Sequence, residues 1–136
     1  MKIWVLDTNV IVSAHLSPHG PPARLLGEVL AQRLRLAYDT RILDEYREVL
    51  QRPKFDLPPA SVRRFLDVMA DQEFVSPGPL RTSLPDLKDA MFVEVACALD
   101  HPVLVTGNLA HFPQERCDGV EVLSPADACN ALQFAG

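Results

Sequence analysis

The chain has 136 residues, of which 48% are hydrophobic and 23% charged, and its net charge is −5. These values fit one soluble globular domain spanning 1–136, and no apolar run approaches the ~18 residues of a membrane helix. Cys97, Cys117 and Cys129 include no C-x-x-C pair, which argues against a disulfide frame or zinc site, and Asp7 comes too early for a signal peptide, so the expected compartment is the cytoplasm.

Lys2–Leu6 is rich in β-formers and ends on Asp7, the pattern of a buried strand. A Pro/Gly loop, Ser17–Pro22, leads to a helix from about Ala23 to Gln32. Arg35–Tyr38 reads as a second strand, after which Asp39 and Thr40 offer helix-capping oxygens. The following helix carries Ile42, Leu43, Tyr46, Val49 and Leu50 at helical spacing, and Pro53 ends it. Pro58 and Pro59 open another, with Val62, Phe65, Leu66 and Met69 inward, and a short strand lies near Glu73–Val75. The loop Ser76–Pro85 precedes a helix from about Lys88 to Leu99, in which Cys97 is expected to pack. Val103–Val105 and Val120–Leu123 are further strands, and Ser124-Pro125 start a last helix. This alternation predicts an α/β fold, a three-layer α/β/α sandwich around a mainly parallel sheet. Ligands of such sheets gather outside the carboxyl ends of the strands.

Several acids do not sit where surface acids belong. Asp7 stands at a strand's carboxyl end, where it is either a turn residue or part of a site. Glu45 falls between Ile42 and Val49, at the edge of its helix's apolar stripe, whereas Asp44, Arg47, Glu48 and Gln51 share the outward face. The alternative for Glu45 is a side chain reaching around to water. Asp89 lies three residues before Phe92 on the buried face of its helix and in the first turn, where a helix-starting role is the plainer reading. Asp86 suits the cap of that helix better than a supporting role. Gly107 breaks the strand at 103–105 and sets Thr106 and Asn108 at a second carboxyl end. Together these would put three carboxylates and an amide at one sheet edge. Clustered carboxylates repel, and hard oxygen-loving Mg²⁺ or Mn²⁺ relieves that repulsion.

The charge is uneven. Residues 24–64 hold nine bases against six acids, and the rest of the chain holds four against twelve. One face is therefore expected to meet phosphates, with Arg41, Arg47 and Arg52 as its contacts; a merely solvated helical surface is the alternative.

Four segments carry a resemblance. Leu6-Asp7-Thr8-Asn9-Val10-Ile11-Val12-Ser13 resembles the opening motif of PIN-domain proteins, and Leu43-Asp44-Glu45-Tyr46 their second acidic position. Asp89 with Phe92 and Ala96 resembles the third, and Val105-Thr106-Gly107-Asn108-Leu109-Ala110-His111-Phe112 the fourth. Where many members carry Asp in that fourth position the chain has Asn108, and His111 stands where many toxins of the family have an acid. The resemblance implies a Mg²⁺- or Mn²⁺-dependent endoribonuclease, with Asp7, Glu45 and Asp89 as metal ligands. Asn108 would hold water or substrate, and Thr8, Asn9, Ser13 and Thr106 would orient the carboxylates or serve the turn. His111 would either assist proton transfer or simply pack. Small bacterial VapC-like members are toxins of toxin–antitoxin pairs, so RNA, a cognate antitoxin and a homodimeric partner are the implied associates. The rival reading is a non-catalytic acidic α/β module that binds RNA or a protein.

Overall fold

The computed structural model describes residues 1–134. Among them β1 (Lys2–Leu6), β2 (Leu34–Tyr38), β3 (Glu73–Phe74), β4 (Val103–Val105) and β5 (Glu121–Leu123) form one parallel sheet in the order β3-β2-β1-β4-β5. Leu6 pairs with Val105, and Val105 with Leu123. The helices are α1 (Thr8–Leu16), α2 (Pro21–Leu30), α3 (Thr40–Leu50), α4 (Pro59–Met69), α5 (Ala90–Cys97) and α6 (Pro125–Phe134). They flank the sheet as the expected three-layer α/β/α sandwich. None is long and apolar enough to cross a membrane.

A parallel sheet covered on both faces calls for strands that are apolar throughout. Trp4, Val5 and Leu6 of β1 and all of β4 are buried accordingly. From β1 the chain builds outward through β2 and β3, then crosses back to lay β4 on the other side of β1. The direction of winding therefore reverses between β1 and β4. Their carboxyl ends open side by side there, and the Asp7 N–H donates to the Val105 carbonyl at 2.9 Å.

The sequence pattern assigns no element to residues 8–16, yet they form α1. Val10, Ile11 and Val12 are β-branched and disfavour a helix locally. Burial of Val10, Ile11, Val12 and Ala14 overrides that preference. Because three consecutive residues are buried, no amphipathic stripe advertises the helix.

The expected helix at 88–99 is a 3-10 turn at Leu87–Asp89 followed by the eight residues of α5. Asp86 caps that turn, accepting from the Lys88 N–H at 2.9 Å. Cys97 does not pack in the core: it is exposed, whereas Cys117 and Cys129 are buried. It stands on the final turn of α5, one position past the buried Val95 and Ala96, where the helix face swings to solvent. Asp39 caps α3 through an Ile42 N–H bond of 3.1 Å.

Candidate active site

Each acid arrives on a different element. Asp7 follows β1, is 8% exposed, and serves as the N-cap of α1 without a side-chain capping bond. Its Oδ2 instead accepts a hydrogen bond of 2.8 Å from the Thr106 hydroxyl, just past β4. That hydroxyl accepts in turn from the Asn108 N–H at 3.0 Å, which helps aim its proton at Asp7. The Thr106 hydroxyl, itself held by the Asn108 backbone, thus holds the first carboxylate.

Glu45 lies one residue before the fully buried Tyr46 on α3. The Thr8 hydroxyl at the start of α1 donates to the Glu45 Oε2, and the Tyr46 hydroxyl donates to the Leu6 carbonyl. Two adjacent residues of α3 are thereby fastened to the end of β1. Burial raises the Tyr46 phenol well above its ordinary range, so it stays a neutral donor.

Asp89 opens α5, also without a capping bond, and its side chain is 15% exposed. Its Oδ2 lies 3.0 Å from the His111 Nδ1. Asn9 closes the arrangement by accepting the Gly107 N–H at 3.1 Å, which ties α1 to the end of β4. Ser13 is exposed, and among the described residues no hydrogen bond links its hydroxyl to the acids.

The electrostatics single these carboxylates out. Burial pushes the Asp7 carboxyl up to about 6; the Thr106 bond opposes this, and the charges of Asp89 and Glu45 add to it. Asp89 is raised too, first by burial, with Asp86 and Glu45 repelling it and His111 relieving it. Among the described residues no Lys or Arg forms an ion pair with Asp7 or Glu45. Asp39, equally buried at the end of β2, is different: Arg41 pairs with it at 2.7 Å. A buried carboxylate lacking a cation is costly, so the cluster at β1 and β4 suits an external positive charge.

The donor chemistry of three carboxylates fits a hard divalent cation. Among the described residues no three His, Cys, Asp or Glu side chains converge closely enough, as they stand, to ligate one ion. Ligation by Asp7, Glu45 and Asp89 together thus requires side-chain adjustment within the cluster.

The three arginines expected to meet phosphates are engaged on the surface of α3 and beyond. Arg47 pairs with Asp44 at 3.2 Å and Arg52 with Glu48 at 2.8 Å. Arg52 also lies within electrostatic reach of Glu45. Arg41 bridges Asp39 and, at 2.8 Å, the mostly buried Glu94 of α5, which also accepts from the Leu80 N–H at 2.7 Å. Sequence reasoning passed over Glu94 because it reads as one outward charge on an apolar helix. A cleft of about 910 Å³ lies at the opposite, amino ends of the strands, lined by Lys2, Trp4, Leu99 and His101 among others. Three acids line it, Glu28, Asp100 and Glu121, and Glu28 is paired with Arg33 at 2.9 Å.

A family model described as PIN domain matches residues 4–110, a span that includes Asp7, Glu45, Asp89 and Asn108. Comparison with curated proteins gives no match.

Proposed function

We propose, on the premise that this chain belongs to the PIN-domain family, that it is a metal-dependent endoribonuclease and the toxin half of a toxin–antitoxin pair. PIN domains are usually metal-dependent nucleases. The observation that carries the reading for this chain is the gathering of Asp7, Glu45 and Asp89 where the winding reverses, with Asp7 raised to about 6 and no basic partner among the described residues. When bound at these three acids, Mg²⁺ or Mn²⁺ supplies the charge that polarises phosphoryl oxygens and acidifies the attacking water. The chain's own residues do the rest. Thr106, Thr8 and His111 each hold one oxygen of one acid, and the Asn108 side-chain amide would bind water or a substrate oxygen without adding charge.

Calorimetric titration of metal-free protein with Mn²⁺ tests the site. Wild type is expected to bind, and both Asp7→Asn and Asp89→Asn are expected to weaken binding by tenfold or more and to abolish RNA cleavage. Undiminished binding in both variants would sink the assignment. RNA affinity without cleavage or metal binding would favour the acidic binding module.

Arg47 and Arg52 remain the proposed phosphate contacts. Their ion pairs are exposed, worth less than ~1 kcal/mol each, and so are readily exchanged for a phosphate. Arg41 shares that proposal, but its bridge between α3 and α5 confounds a test by deletion. The Arg47→Ala/Arg52→Ala variant is expected to bind RNA more weakly, with the slope of log affinity against log salt flattened by roughly 0.7 for each phosphate no longer neutralised. Measuring affinity at several salt concentrations decides this, and an unchanged slope means the strand runs elsewhere.

A further inference from the structure

Three acids at the carboxyl edge have three different side-chain donors: Thr106 for Asp7, Thr8 for Glu45 and His111 for Asp89. The first two donors lie directly beside the strand ends whose geometry places them. His111 does not. It lies 22 residues from Asp89, on the short 3-10 turn Leu109–His111 after β4, one position beyond the segment that matches the PIN-domain model. Something has to bring its ring back to α5.

Phe112 does so. It is 1% exposed and packs edge-to-face on Phe92, with ring centroids 6.4 Å apart and an interplanar angle of 78°. Phe92 lies on α5 three residues after Asp89, so the adjacent pair His111–Phe112 meets Asp89 and Phe92 on the same helical face. The aromatic contact fixes the backbone, and the neighbouring imidazole then has a defined reach to the carboxylate. A structural ion pair is a poor account of this arrangement. The His111 side chain is 46% exposed, and an exposed pair of this kind contributes less than ~1 kcal/mol. Asp89, by contrast, is mostly shielded and points one oxygen at His111. A donor that holds one oxygen of a ligating carboxylate fixes the direction in which the other is offered.

We propose that His111 is a positioning residue for Asp89: its Nδ1–H holds the Asp89 Oδ2 so that the carboxylate is presented to a divalent cation shared with Asp7 and Glu45. This rests on the metal-dependent reading given above. The role belongs to the hydrogen bond and not to the ring's bulk, so a side chain with an N–H near the Nδ1 position can replace it. Asn is such a side chain.

The experiment is Mn²⁺ calorimetry on the full chain for wild type, His111→Ala, His111→Asn, Asp89→Asn and the Asp89→Asn/His111→Ala double variant, each also melted in chelator. His111→Ala is expected to weaken Mn²⁺ binding about 10- to 100-fold, the range seen when outer partners of metal ligands are removed. His111→Asn should recover most of that loss, and His111→Ala should add nothing once Asp89 is Asn. Melting in chelator should be nearly unchanged for both single His111 variants. Wild-type affinity in His111→Ala overturns the proposal. So does a His111→Ala that loses Mn²⁺ binding only together with a lower melting point in chelator or a failure to fold, since that marks a structural residue. An equal loss in His111→Asn and His111→Ala also overturns it, because the amide donor then does nothing. If wild type itself binds no Mn²⁺, the metal-dependent reading falls and takes this role with it. If wild type binds and Asp89→Asn does not, while His111→Ala binds normally, the positioning role alone falls.

Discussion

Asp7→Asn, melted in chelator at pH 7.5, is expected to be more stable than wild type while cleaving no RNA. Burial and the charges of Asp89 and Glu45 hold the native Asp7 carboxyl at about 6, against an ordinary value of 3.8 in the unfolded chain. Between those values the native state binds more protons than the unfolded state, so stability falls as pH rises through the window from about 4 to 6. Above it, ionised Asp7 opposes folding by on the order of 2–3 kcal/mol, at 1.36 kcal/mol per unit of displacement. Asn removes the charge and keeps an oxygen for the Thr106 hydroxyl, so the gain is not cancelled by an orphaned donor. The advantage should therefore vanish below pH 4, where both states of the wild type carry the proton. Paired thermal melts at pH 3.5 and 7.5 check the sign. A variant that is less stable at both pH values would identify Asp7 as an ordinary capping or turn acid. Retained cleavage would remove it from the chemistry altogether.

Phe112→Ala should lose about 3–5 kcal/mol, the usual cost of deleting a buried phenyl ring. Against a total stability of roughly 5–15 kcal/mol, that brings the chain close to unfolding at physiological temperature. In a chain of this size the melting point should fall by roughly 10–20 °C. The loss comes from the cavity against Phe92 and from release of the segment after β4, so Phe112→Leu should restore most of it. Denaturant titration gives the free energy directly, and a loss below ~1 kcal/mol would mean that the Phe92–Phe112 packing does not anchor this segment. The Leu variant also separates stability from function. It keeps the fold while loosening the geometry that carries His111 to Asp89, so its Mn²⁺ affinity should fall more than its melting point does.

The sandwich was legible from the amino acids because apolar strands alternating with amphipathic helices leave few other ways to bury both. The same local signals located the acids. Glu45 at the margin of an apolar stripe, Asp7 at a strand's end and Asp89 ahead of Phe92 are all written in spacing, and Asp86 as a cap needed only its position before a helix. What spacing lacks is knowledge of which neighbours a residue will meet. Residues 8–16 looked like no element because β-branched side chains argue locally against the helix that burial imposes. Cys97 looked packed because composition shows an apolar stretch but not where its helix leaves the sheet.

Asp39 and Asp7 both follow apolar strands, and nothing in the order of residues says that one will pair with Arg41 while the other has only hydroxyl and backbone donors. That distinction depends on contacts among residues far apart in the chain: Thr106 is 99 positions from Asp7, Glu45 is 37 from Thr8, and His111 is 22 from Asp89. By itself the sequence determined the fold class and which acids stand at element ends, because both follow from local periodicity and burial. Only the tertiary structure decided which acids feel one another's charge and which donor holds each one, because the order of strands across the sheet sets those neighbours.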